Sequence, residues 1–424
     1  MDLNFTKVGR KDLHVIGLLL IAFSLPFSTQ VNSAAIIFIL LVWLLDRDLL
    51  VKIKKVFSNK FIIILILYFA VCLLGMLYTS NQKAGIGYLT KSFSLLLFPI
   101  IFSSYDYSNK VLQKILLAFV LAVFCCITYS LVMVFYFHNA LIEEFSLYNT
   151  YRELLIKPLT FHPTYFSIYI LFSIFCIIYL VFINKWYKGF LGVVGLLLVF
   201  YFFAFSLLLS ARMPLLSSFF CLFITAVFYS IKLKKYIFIF VALAVIVSML
   251  YYLFNNPMFN QRILEIRETA LKPPVGIYHN SINLRIGILT CTFQELRSQW
   301  LLGTGTGDMQ DVLNKCYESN GYSDVLYKLS FNTHSAYFDA FLRLGVLGLF
   351  SLVLLFYYSF NRAIKTKDVL FLNFIVFIAT ACITESILNS QKGIVFFTLF
   401  NSLFIYHSHH KLSTIKIRNN ADRI

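Results

Sequence analysis

Arg212, Arg285 and His334 are the residues of this sequence whose types and placement best suit a reaction. Arg212 stands between two strongly apolar runs, in the short turn Ser210-Ala211-Arg212-Met213-Pro214. Arg285 lies one helical turn before Leu289 and on the same row as Phe293. An arginine on an apolar row is unfavourable unless it meets an anion; the bland alternative is a side chain that snorkels to lipid headgroups. A guanidinium offers a planar fork of donors that matches phosphate oxygens, so two near one membrane surface suit a diphosphate. For Arg212 the alternative is an interfacial anchor. His334, in Asn332-Thr333-His334-Ser335, immediately precedes an apolar run. With an ordinary pKa of about 6.5, its neutral ring can take a proton near neutral pH. A lone histidine is otherwise an ordinary interfacial residue.

Other groups gather around these three in the order of the chain. His162-Pro163-Thr164-Tyr165 opens an apolar run, so His162 and Tyr165 are candidate cavity-lining residues, while Pro163 equally suits the start of a helix. Glu385, in Thr384-Glu385-Ser386, is an ionisable residue near the end of another apolar run and a third candidate for that lining. Asp339 and Arg343 are four residues apart within an apolar run and are expected to neutralise each other. Arg262, Arg267 and Arg297, with Glu265, Glu268 and Glu295 nearby, read as solvated helix faces. Gly303-Thr304-Gly305-Thr306-Gly307-Asp308 is a weak phosphate signal, because no strand precedes it and neither a P-loop nor a dinucleotide fingerprint is formed. No His, Cys or carboxylate spacing points to a metal, and no Ser-His-Asp arrangement has credible spacing.

The elements that must position these residues follow from composition. The chain has 424 residues, 60% of them hydrophobic and only 13% charged. A soluble chain carries about 25% charged residues, so lipid rather than water is the solvent this one fits. The net charge of +17 does not signal nucleic acid, because the basic residues form short clusters between apolar runs. Six cysteines (Cys72, Cys125, Cys126, Cys176, Cys221 and Cys382) lie inside apolar runs as small hydrophobes. Cys291 and Cys316 lie in the longest polar segment and can pair if it faces an oxidising compartment.

A spanning helix takes about 20 mostly apolar residues, and the sequence predicts about twelve of them. Their centres fall near Leu19, Leu40, Leu67, Leu96, Val123, Phe172, Leu197, Leu222, Ala244, Phe350, Phe374 and Leu399. Basic residues then alternate by side. The N-terminal tail, Arg47 to Lys60, Lys110 and Lys114, Lys185 and Lys188, Lys232 to Lys235, Arg362 to Lys367 and Lys411 to Arg423 all fall on one side. The positive-inside rule assigns that side to the cytoplasm. Lys7, Arg10 and Lys11 before the first apolar run, with Ser33-Ala34-Ala35 beyond it, resemble a signal peptide, but a second run follows at once and a retained first span is expected. Residues 1–254 are thus expected to carry nine spans, residues 255–335 one large periplasmic loop, and residues 336–424 the last three spans and a cytoplasmic tail. Within the loop, Leu289, Phe293, Leu296 and Trp300 predict an amphipathic helix packed on the membrane domain, and Ile263, Ile266 and Ala270 a shorter one.

Together these features resemble the O-antigen ligase and polymerase family. The resemblance rests on the Arg212 turn, the Arg285 helix, the glycine turn, and His334 with the following Leu344-Gly345-Val346-Leu347-Gly348. His162 to Ser167, and Glu385 through Gln391-Lys392-Gly393, resemble segments of members usually assigned as ligases. The family often has His-Asn where this chain has His334-Ser335, so the second position is not carried over. The resemblance implies an all-α integral membrane protein, a GT-C-like glycosyltransferase of the inner membrane working without metal, cofactor or nucleotide sugar. The implied donor is a glycan on undecaprenyl diphosphate. The acceptor is lipid A–core for a ligase, or another lipid-linked glycan for a polymerase. In that frame Arg212 and Arg285 hold the departing diphosphate and His334 takes the proton of the attacking hydroxyl. The rivals are a transporter, which would show two similar halves and mid-bilayer charges, and a non-catalytic scaffold for polysaccharide assembly.

Overall fold

Lipid offers the backbone no hydrogen bonds, so a chain this apolar folds into helices that satisfy their own. The computed structural model describes residues 9–46, 48–58, 61–141, 154–159, 161–209, 211–255, 272–276 and 279–421. Every predicted span centre among them lies inside a helix. Among the described residues, six helical segments are long and apolar enough to cross a membrane: Gln82–Ser103, Asn109–Tyr136, Pro163–Ile183, Phe190–Leu209, Arg212–Ile231 and Ala336–Thr366. Leu40 and Phe374 sit on Thr29–Leu44 and Val369–Ala381, which are apolar but shorter, and Leu399 sits on the 31-residue helix Gln391–Ala421. Among the described residues the only β-bridge is the isolated one between Val275 and Tyr322.

Phenylalanine provides the centre of the bundle. Phe119, Phe172, Phe374, Phe396, Phe400 and Phe404 interlock, with Phe172 and Phe400 centroids 4.9 Å apart and Phe172 and Phe374 5.0 Å apart. Aromatic pairs of this kind add about 0.5–1.5 kcal/mol each beyond the area they bury. They join the helices Asn109–Leu141, Pro163–Ile183, Val369–Ala381 and Gln391–Ala421.

The helix Ala336–Thr366 is broken at Gly345, whose φ of +62° and ψ of −157° leave the helical region. A break orphans carbonyls and amides that must find other partners. Here the glycine turn supplies them. Thr304 N–H donates to Leu342 O (2.8 Å), Gly305 N–H to Arg343 O (3.0 Å), and Val346 N–H to Trp300 O (2.9 Å). The turn also grips the N-terminal half of the bundle. Thr306 Oγ1 donates to Cys72 O (2.6 Å), and the Asp308 carboxylate accepts from Ser80 N–H (2.8 Å) and Asn81 N–H (2.6 Å). The glycines allow close contact. A Cβ on Gly345 would lie 2.1 Å from Leu301 O, and one on Gly307 2.1 Å from Asn81 O. Gly345→Ala combines this overlap with a positive φ, which together are expected to cost about 3 kcal/mol or more. A lowered melting temperature in detergent, with residues 300–310 becoming protease-sensitive, is the measurement that checks it.

The loop helix Ser281–Gln299 is present, capped by Asn280 Oδ1, which accepts from Ile282 N–H and Asn283 N–H at 3.0 Å each. It packs differently from expectation. Gly287, Ile288, Cys291, Thr292 and Leu296 form its buried face, whereas Leu289, Phe293 and Trp300 are 37%, 51% and 55% exposed. The buried face closes a second small core with Met309, Leu313, Tyr317 and Leu326, and with Leu342 from the broken helix. Gly287 lets the segment at Pro274 approach this face closely; a Cβ there would sit 2.9 Å from Pro274 Cδ. Cys291 and Cys316 are disulfide-bonded across this core. The shorter helix expected around Ile263, Ile266 and Ala270, together with Arg262, Glu265, Arg267 and Glu268, lies outside the described residues.

Candidate active site

His334 has φ +51°, a left-handed conformation that is unfavourable for a residue with a Cβ. Asn332 makes it possible: its side-chain Oδ1 accepts the His334 N–H at 2.9 Å, a turn closed by an asparagine two residues upstream. The turn is anchored from both sides. Ser386 Oγ donates to the same Asn332 oxygen at 3.3 Å. Ser335 Oγ and Ala336 N–H both donate to Cys382 O, at 3.3 Å and 3.0 Å. The imidazole is half-buried with Phe331 tilted beside it, centroids 5.6 Å apart.

Charge acts on this ring from two other elements. Burial, then the guanidinium of Arg285, then His162 push the His334 pKa down to about 4. The ring is therefore neutral at physiological pH, and two of the residues singled out by sequence lie within electrostatic reach of it. Arg285 is exposed on the loop helix. His162 is exposed at the N-cap of Pro163–Ile183, where Pro163 takes the first helical position.

Tyr165 joins the same neighbourhood from that helix. Its hydroxyl donates to Ser386 O at 3.0 Å, and its ring meets His162 edge-on with centroids 5.7 Å apart. Glu385, beside Ser386, acts electrostatically on Tyr165. His162, Tyr165, Glu385 and His334 therefore belong to one cluster.

Arg212 is the first residue of the helix Arg212–Leu233. That helix lies against Val369–Ala381: Cys221 Sγ approaches Asn373 O at 3.5 Å, and Asn373 Nδ2 donates to Thr225 Oγ1. Tyr229 faces Asp368, so the two helices run antiparallel. As many residues separate Arg212 from Cys221 as separate Asn373 from Cys382. With a common rise per residue, Arg212 comes level with Cys382, which holds the His334 turn. Arg212 thus stands at the same end of the bundle as His334.

Asp339 and Arg343 form no ion pair within salt-bridge distance and interact only at longer range. Arg343 instead donates to Thr306 O, contacts Met309 Sδ at 3.7 Å and Asn389 Oδ1 at 3.4 Å, and stacks 4.0 Å over the Tyr88 ring. It clamps the glycine turn, a role that four-residue spacing does not reveal. Asp339 takes the Thr333 hydroxyl on Oδ1 at 2.7 Å. Arg297 is exposed, as a solvated face requires. Asn332, Thr333 and Ser386 were not legible as site residues, although an asparagine two positions before a histidine is itself a turn signal.

Residues 197–353 match the sequence model of the family described as O-antigen ligase. The matched stretch contains Arg212, Arg285 and His334 and ends before Glu385. A comparison with curated proteins finds no match.

Proposed function

We propose, from the match of residues 197–353 to the family model described as O-antigen ligase, that this multi-pass membrane protein moves a glycan from undecaprenyl diphosphate to a sugar hydroxyl of lipid A–core. The observation that carries the reading is the held turn of His334, inside the matched stretch, with Arg285 and His162 acting on its ring. In the reaction the acceptor oxygen forms a bond to the anomeric carbon. The bond from that carbon to the diphosphate oxygen breaks, and undecaprenyl diphosphate departs. His334 takes the hydroxyl proton, a contribution of roughly 10²–10⁴-fold. Arg212 and Arg285 meet the charge that develops on the diphosphate, roughly 3 kcal/mol for each well-placed donor. The positive end of the helix that begins at Arg212 adds to the same field. No nucleotide is consumed, because the sugar–phosphate bond already holds the leaving group.

Arg285 also links donor loading to the base. Its charge helps hold the His334 ring at low proton affinity. A bound diphosphate neutralises that charge, so the ring becomes a stronger base once the donor is in place.

The test is deletion of the gene followed by analysis of lipopolysaccharide. Loss of all long chains from lipid A, with accumulation of lipid-linked polymer, is the expected result. A core still carrying one repeat would instead assign the chain as the polymerase of lipid-linked repeats.

The reading also takes about twelve helices as spans and residues 255–335 as periplasmic. The alternation of basic clusters supports it, as does the bonded pair Cys291–Cys316, since disulfides persist in the periplasm. A cysteine introduced at the exposed Glu318 is expected to react with a membrane-impermeant maleimide in spheroplasts. Reaction only after the inner membrane is opened would invert the topology.

A further inference from the structure

We propose that Asp339 is a positioning residue for His334, acting through the Thr333 hydroxyl to hold the left-handed turn that presents the imidazole. The proposal rests on His334 being the base of the reaction above.

Asp339 is 5% exposed, and a buried carboxylate is costly without partners. Its expected partner, Arg343, is engaged by the glycine turn, Asn389 and Tyr88. What Asp339 does hold is Thr333, the residue immediately before His334, at 2.7 Å. Thr333 Oγ1 also accepts the N–H of Ser335, the residue immediately after His334, at 3.3 Å. A single hydroxyl therefore joins both neighbours of His334 to a carboxylate set in the rigid helix that follows. Ser386 Oγ, which donates to Asn332 Oδ1, lies beside the same carboxylate. Asn332 fixes the His334 amide and Asp339 fixes the residues flanking it, so a positive φ that a histidine does not adopt by preference is held from both sides.

The groups acting on the ring are Arg285 from the loop helix and His162 from the head of Pro163–Ile183. Glu385 lies on the segment that Ser386 ties to Asn332. If the turn loosens, the ring moves toward water and away from Arg285, and its proton affinity returns toward that of a free histidine.

The experiment is a pH titration of protein in nanodiscs carrying ¹³Cε1-labelled histidine, with the His334 signal assigned by its loss in His334→Gln. The wild-type ring is expected to titrate near pH 4. Thr333→Val and Asp339→Leu are expected to move the midpoint up toward about 6.5, and to slow transfer from lipid-linked donor roughly 10²-fold. Asp339→Asn, whose amide oxygen still accepts the Thr333 hydroxyl, is expected to keep the wild-type midpoint. Thr333→Val is nearly isosteric and carries the test if Asp339→Leu does not fold. An unmoved midpoint in folded Thr333→Val protein overturns the proposal, as does Asp339→Asn shifting it as far as Asp339→Leu. Full activity of His334→Ala would sink the base reading instead, and that result is separate from the titration.

Discussion

His334→Ala is expected to lower glycan transfer by roughly 10²–10⁴-fold, with donor binding intact. The ring sits on a turn held by Asn332 and contributes no charge at neutral pH, because burial and Arg285 keep it unprotonated down to about pH 4. Removing it therefore takes away a proton acceptor and leaves the field that holds the diphosphate. The sign of the pH dependence follows. The active form is the neutral ring, so kcat/KM, which reports the free enzyme, is expected to stay level from neutral pH downward and fall as pH drops through about 4. An ordinary histidine would already be failing near 6.5. The assay is transfer from purified lipid-linked donor to acceptor in detergent, with EDTA present. Full activity of folded His334→Ala protein would leave a purely electrostatic mechanism.

Arg285→Ala is expected to weaken donor binding and turnover together, by roughly 10²-fold in kcat/KM, since its charge acts on the bound donor as well as on the departing one. Arg285→Lys is expected to recover part of this, because an ammonium lacks the forked geometry. The same variants carry an internal check. Arg285 is one of the causes that lower the His334 pKa, so its removal raises that pKa and moves the acid limb of kcat/KM upward. Arg285→Lys, which keeps the charge, is expected to keep more of the low limb than Arg285→Ala. A limb that does not move in Arg285→Ala would separate the two residues and leave Arg285 as a surface cation.

The helices are readable from apolar run length, and the candidate site residues from their types beside those runs. Arg285 and His334 stand out because a charge or a histidine beside an apolar run needs a reason, and the structure sets both into one electrostatic environment with His162. Faces were less readable than helices. Leu289, Phe293 and Trp300 have the spacing of a buried row, yet the helix turns Gly287, Ile288 and Cys291 inward. Periodicity identifies an apolar stripe but does not distinguish lipid from protein as what covers it. Asp339 and Arg343 show a related limit. Four-residue spacing permits an ion pair, but each side chain found a partner far away in sequence, Thr306 for Arg343, or on the preceding loop, Thr333 for Asp339. Sequence leaves the cysteine pairing open because connectivity depends on the approach of two helices, which here bury Cys291 and Cys316 in one core.

The docking of the glycine turn has a consequence for biosynthesis. Ser80 and Asn81 leave the ribosome long before Asp308, which accepts both their amides. At about 5–20 residues per second, the interval between them is on the order of 10–50 seconds. During that time the first helices must rest in the membrane with this edge unfinished. Helix Ala336–Thr366 emerges later still, and until it does the amides of Thr304 and Gly305 lack the Leu342 O and Arg343 O that accept them. The turn therefore works as a keystone: the helices before it are inserted first, and the bonds that tie them to the later ones close only once the turn and the helix after it have been made.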